Sequence, residues 1–108
     1  MKFVIATQFT DTPGPRYKHQ GDFSGELFRE LHLRDLFNHY RKTKEPVTID
    51  LDGVFGYPTS FLEEAFGGLA REASENEVLE AFRFIATEQP DVIEEIKEDI
   101  LAANKKRR

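Results

Sequence analysis

The sequence predicts a small single-domain α/β layer fold, a mixed or parallel sheet of about four strands covered by helices. Three observations lead there. A chain of 108 residues is long enough to bury one core and too short for two ordinary ones. Strand-length apolar runs alternate with longer stretches of helical apolar spacing, in the order strand, helix, strand, helix, strand, helix. Cysteine is absent, so the fold must rest on packing, and disulfides, thiolate nucleophiles and cysteine-containing zinc patterns are excluded. Right-handed crossovers would lay the helices over the sheet, with ligands favoured beyond the carboxyl ends of the strands.

Residues 2–5 form the first strand, β-branched toward its end. The stretch ATQFTDTPGPRYKHQGD follows, where two prolines and two glycines oppose a regular element and leave room only for a short strand at residues 16–19. A loop of this length in a small domain tends to carry function or to move. Ser24 then caps a helix reaching about Arg41, with Glu26 in its first turn and Arg41, Lys42 and Lys44 near its last. Leu27, Phe28 and Leu31 share one side, while Leu33, Leu36, Phe37 and Tyr40 lie nearly opposite. A straight helix would therefore need burial on two faces, which a kink or break near residues 31–33 resolves.

After Glu45 and Pro46, the run VTIDL places Val47, Ile49 and Leu51 on one strand face and Thr48 and Asp50 on the other. Asp52 and Gly53 turn the chain. Phe61, Leu62, Ala65, Phe66, Leu69, Ala70 and Ala73 then recur at helical spacing over about four turns. Residues 76–80 add a turn of helix, residues 82–86 a short strand, and Gln89-Pro90 opens a final helix with Val92, Ile93, Ile96 and Ile100 as its apolar stripe. Its acidic side is a solvated surface. The domain is expected to span residues 1–104, with the basic run at 105–108 as a solvated tail.

A net charge of −5 and a pI near 5.2 argue against nucleic-acid binding, which favours a basic stripe. No apolar stretch has the length of a membrane span or the pattern of a signal peptide, so the expectation is a cytoplasmic protein without a membrane partner. His19, His32 and His39 are the only histidines; His32 and His39 stand two turns apart on one helix, too far for a shared ion, and no metal site is expected. Neither a phosphate-binding glycine loop nor a dinucleotide fingerprint is present, so no cofactor is expected. The Gly-x-Ser-x-Gly elbow of serine hydrolases is missing too.

The strand-to-helix junction within residues 47–73 is the most informative stretch. A helix start after a strand offers unpaired backbone donors beside a hydroxyl, which suits ligand docking, regulation by phosphate, or plain capping. Ser60 and Glu63 have the spacing of a capping box, worth about 1 kcal/mol; Thr59 can take the cap instead. A phosphate on Ser60 would sit in the positive end of the helix dipole, yet beside the repelling charges of Glu63 and Glu64. Gly67-Gly68 in mid-helix costs about 1 kcal/mol per residue against alanine, which points to close packing of this helix on the sheet. Arg16, Lys18, His19 and Arg29 are candidates for a basic pocket that takes a phosphate or carboxylate. With Asp50 or Asp52 at the same sheet edge, they define the rival reading of a small enzyme or anionic-ligand-binding protein.

The segments IDLDGVFGYPTSFLEEAFGGL and SGELFR carry a resemblance. They resemble the STAS-like domain family of unknown function, whose members show a strand ending in Asp-Phe/Leu-x-Gly-Val, then Ser-Phe and an acidic helix start, with an upstream Ser-Gly-x-x-x-Arg that Ser24, Gly25 and Arg29 match. The likeness covers about residues 21–86. That family is similar in turn to the STAS domains of anti-sigma-factor antagonists, small cytoplasmic proteins that bind a histidine-kinase-like ATPase and are switched by phosphorylation of a serine at a helix start. Their helix start reads Asp-Ser-Ser-Gly, where this chain has Pro58, Thr59, Ser60 and Phe61. The second hydroxyl is retained and both flanks are not, so partner binding carries over better than phosphorylation. The resemblance implies a non-catalytic regulatory module, with Ser60 or Thr59 as phospho-acceptor and Tyr57, Pro58, Phe61, Glu63 and Glu64 facing a partner protein. That partner would be a histidine-kinase-like ATPase or a serine kinase; a homo-oligomer is compatible.

Overall fold

The computed structural model describes residues 1–105. Of the predicted tail, Lys106, Arg107 and Arg108 lie outside the described residues. Strand β1 (Lys2–Val4) runs parallel to β2 (Val47–Asp50), and β3 (Phe82–Ile85) runs parallel to β2 on its other side. Phe3, Ile49 and Phe84 stand in register across the three strands. Among the described residues the sheet has three strands in the order β1-β2-β3, fewer than the four or so expected, and of the two expected arrangements, mixed or parallel, it is purely parallel. Residues 16–19 are not a strand. Lys18–Gln20 form a 3-10 turn, and the carbonyls of Pro15 and Arg16 accept from the amides of Gly25 and Glu26 (2.9 and 3.0 Å), which ties this loop to a helix start and not to a sheet.

One helical turn, α1 (Ile5–Gln8), follows β1 directly. Helix α2 is continuous through Gly25–Phe28, a π-helical turn Arg29–Leu33, and Arg34–Thr43. Its cap is the expected one, with Ser24 Oγ accepting from the Leu27 amide at 3.0 Å. The π turn sits where the sequence calls for a break: its extra residue lets Phe28, Leu33, Leu36 and Phe37 all enter the core and sends Leu31 into solvent. Replacing Ser24 by alanine is expected to cost about 1 kcal/mol in urea unfolding, through loss of a cap. Helix α3 likewise joins Thr59–Leu62, a π turn Glu63–Gly67 and Gly68–Glu72. Helices α4 (Glu75–Ala81) and α5 (Asp91–Ala102) complete the chain, with Pro90 at the N-cap of α5.

Sheet and helices make two layers. Phe3 packs on Phe28 of α2, and Phe82 and Phe84 pack on Phe66 of α3, so both crossovers cover the same face of the sheet. The opposite face carries Lys2, Thr48, Asp50 and Arg83, exposed or half-buried, with Lys2 and Asp50 paired at 3.6 Å. No helix of the described residues is long and apolar enough to cross a membrane.

Candidate functional site

The carboxyl end of β2 leads into a loop, residues 52–58, that is fastened on both flanks. The Asp52 carboxylate accepts from the Thr87 hydroxyl at 2.6 Å and the Glu88 amide at 3.1 Å, and those bonds, the Thr87 one foremost, hold it below the usual carboxylate range. Gly53, at φ +83°, makes the turn that an L side chain resists, and its amide donates to Glu88 Oε1 at 2.8 Å. Gln89 Nε2 donates to the Val54 carbonyl at 3.1 Å, while on the other flank the Phe55 amide donates to the Asp11 carbonyl at 3.0 Å. The Tyr57 hydroxyl donates to the Leu51 carbonyl at 2.9 Å. Burial, aided by the charges of Asp50, Asp52 and Glu88, pushes that hydroxyl above its ordinary value, so it stays a neutral donor.

This fastening turns Val54 into the core and leaves the next side chain, Phe55, 85 % exposed. Gly56, Tyr57 and Ser60 are half-buried, and Pro58 and Thr59 are exposed. Phe55 is the residue that sequence reasoning missed. Its signal was a lone aromatic in the run Gly53-Val-Phe-Gly56, where flanking glycines give no covering side chains.

The helix start departs from expectation. Pro58 occupies the N-cap of α3, and no side chain caps it; Thr59 and Ser60 are already helical. The capping box of Ser60 and Glu63 is therefore absent, because the Glu63 carboxylate is engaged elsewhere. Replacing Ser60 by alanine is accordingly expected to change stability by less than about 0.5 kcal/mol, the range of an ordinary surface change.

Every residue from 61 to 70 is buried, so α3 is enclosed on all sides. Phe61, Glu63 and Glu64 thus belong to the interior, so the exposed position expected of them is corrected. Two buried carboxylates need cations, and the chain supplies them from three elements. Arg16 of the long loop pairs with Glu63, and its Nη1 lies 3.4 Å from Glu64 Oε1. Arg71 Nη1 donates to Glu63 Oε2 at 2.6 Å. Arg29 Nη1 donates to Glu64 Oε2 at 2.7 Å and to the Glu64 carbonyl at 2.5 Å, and its Nε lies 3.1 Å from Glu72 Oε2. Arg34 closes the chain on Glu72 with bonds of 3.0 and 2.5 Å.

Burial pushes the pKa of Glu63 up, yet hydrogen bonds from Arg71 and Arg16 outweigh it and leave the carboxyl below its ordinary value of 4.5. Glu72 is lowered too, chiefly by its bond from Arg34.

These pairings place the basic residues. Arg16 and Arg29 do converge, but on the chain's own Glu63 and Glu64; Lys18 pairs with Glu30 at 2.6 Å, and the His19 ring stacks on Tyr17 at 5.7 Å. The basic groups do not converge on Asp50 or Asp52 as expected; Arg16 and Arg29 stand in an internal ion network instead. Among the described residues no group of three histidine, aspartate or glutamate side chains is arranged to hold a metal.

The glycines serve the same network. A Cβ on Gly68 would collide with the Arg29 guanidinium, and one on Gly67 would stand 3.0 Å from Glu63 Oε2 and 3.4 Å from the Asp99 carbonyl of α5. The pair is thus explained by Arg29 and α5, not by packing on the sheet. At the other end, a Cβ on Gly25 would collide with the Phe61 carbonyl, so the first turns of α2 and α3 meet backbone to backbone. Ser24, Gly25 and Arg29 accordingly do one job: capping, close approach and ion pairing lock α2 onto α3, and α3 carries the loop with Phe55.

No curated protein matches the chain, and no solved structure does. The family model described as STAS-like domain of unknown function (DUF4325) matches residues 24–92, more than half of the chain and all three of the residues just named. This chain belongs to that STAS-like family of unknown function.

Proposed function

We propose that this protein is a non-catalytic regulatory module that docks another protein on the loop of residues 53–59, at the carboxyl edge of its sheet. The observation that carries the reading is Phe55, 85 % exposed on a loop whose backbone is fastened to residues 11, 88 and 89. A preorganised loop loses little entropy on binding, and an aromatic anchor at its tip supplies the apolar area. The exposed Thr59 and half-buried Ser60 stand beside it at the start of α3. A phosphate on either would add charge next to the anchor without displacing a cap, since neither hydroxyl makes one. By similarity of the family to partner-switching STAS domains, the partner class is a histidine-kinase-like ATPase or serine kinase.

The test uses the whole chain as bait in its native lysate, comparing wild type with Phe55→Asp and Ser60→Glu. Phe55→Asp is expected to keep the melting temperature and to lose a captured ATPase or kinase by on the order of thirtyfold, the weight of a hot-spot residue near 2 kcal/mol. Ser60→Glu is expected to change that same capture without unfolding the chain. Identical captured sets from all three baits would remove the reading's support.

A further inference from the structure

Strand β3 is an edge. It pairs with β2 on one side, and among the described residues no strand lies on the other. The Ile85 carbonyl accepts from the Leu51 amide on the β2 side at 2.8 Å, so the alternation of a strand directs the amides and carbonyls of Phe82 and Phe84 to the open side. A groove of about 460 Å³ runs along this edge, lined by Leu79, Phe82, Phe84 and Ile93, with Arg83 and Lys97 at its sides. Both cations are exposed, and neither forms an ion pair among the described residues; Arg83 instead folds back on the carbonyls of Glu80 and Phe82, at 3.2 and 3.3 Å.

We propose that this edge receives an extended, acidic segment of a partner protein as an added strand, a surface separate from the Phe55 loop. Backbone pairing to Phe82 and Phe84 supplies the adhesion, and alternate apolar side chains of the incoming strand enter the groove. Its carboxylates, on the alternate positions, face the open face of the sheet and meet Arg83, while Lys97 of α5 adds positive charge at the groove itself. An incoming amide replaces the Arg83 guanidinium on the Phe82 carbonyl and frees it for a carboxylate. Charge selects this occupant over a second copy of the chain, because pairing β3 with itself would bring two Arg83 side chains together, and like charges facing each other across strands are unfavourable.

The probe is a blocked seven-residue peptide alternating valine and glutamate, with a lysine-for-glutamate peptide as control, titrated into the isotope-labelled full chain. The glutamate peptide is expected to shift the Phe82 and Phe84 amides and slow their hydrogen exchange, leaving Phe55 unmoved. The lysine peptide is expected to bind at least about tenfold more weakly, and the exposed double variant Arg83→Glu, Lys97→Glu to reverse that preference. Equal binding of the two peptides, shifts confined to the Phe55 loop, an unaltered preference in the double variant, or self-association through β3 would each overturn the proposal. Capture of a partner through Phe55 is read separately, by the Phe55→Asp bait, so failure of one proposal is distinguishable from failure of the other.

Discussion

Replacing Arg29 by alanine is expected to destabilise the chain by about 3–5 kcal/mol, a large share of the 5–15 kcal/mol that holds a domain folded. The guanidinium is nearly buried and bridges Glu64 to Glu72, so its removal strands the Glu64 carboxylate in the interior with only the longer contact to Arg16. Lysine is not expected to rescue, since one ammonium cannot reach both carboxylates in the geometry of the fork. The double variant Arg29→Met, Glu64→Met is expected to recover most of the loss, because removing both charges removes the penalty. Urea unfolding of the three variants measures this. The pH dependence supplies a second reading. Glu63 and Glu72 titrate below their ordinary value of 4.5 in the folded chain, so their contribution is present above that value and fades as pH falls through the lower folded values. Wild type is expected to lose stability progressively from about pH 5 downward, and Arg29→Ala to lose less over that window because Glu72 has forfeited one partner.

Gly25→Ala is the second large effect, and its sign opposes helix propensity. Alanine favours a helix by up to about 1 kcal/mol over glycine, but here its Cβ would run into the Phe61 carbonyl. A main-chain oxygen held in a helix cannot step aside as a side chain does, so α2 and α3 must separate, at about 1–3 kcal/mol. Gly56 is the control: nothing lies within 4 Å of the position its Cβ would take, and Gly56→Ala is expected to melt with wild type. Amide shifts should report the difference in kind, with Gly25→Ala moving the signals of residues 53–62 although it lies on another helix.

Much of the architecture was legible because it is periodic. The three paired strands, the Ser24 cap and the need for a break near residues 31–33 all follow from which residues repeat at two or at 3.6. The missing fourth strand was misread because a short polar run between prolines and glycine carries no period, and its backbone found partners on α2. At the junction, Ser60 and Glu63 fit the spacing of a cap, but spacing does not reveal that Pro58 already holds the cap position or that arginines from 47 and 8 residues away claim the carboxylate. Phe61 could have been placed correctly, since it shares its stripe with Ala65 and Leu69. Glu63 and Glu64 could not, because their burial depends on a π turn and on cations that only the folded chain assembles. The exposure of Phe55 was not legible either, because it follows only once Val54 takes the core position.

The direct measurement is photo-crosslinking in the native cell, with a benzophenone side chain at position 55 and, for comparison, at the half-exposed Leu101 of α5. A discrete adduct with one ATPase or kinase from position 55, lost when the Ser60→Glu change is added and absent from position 101, is the expected result. The same adducts from both positions, or none from position 55, would contradict docking through this loop.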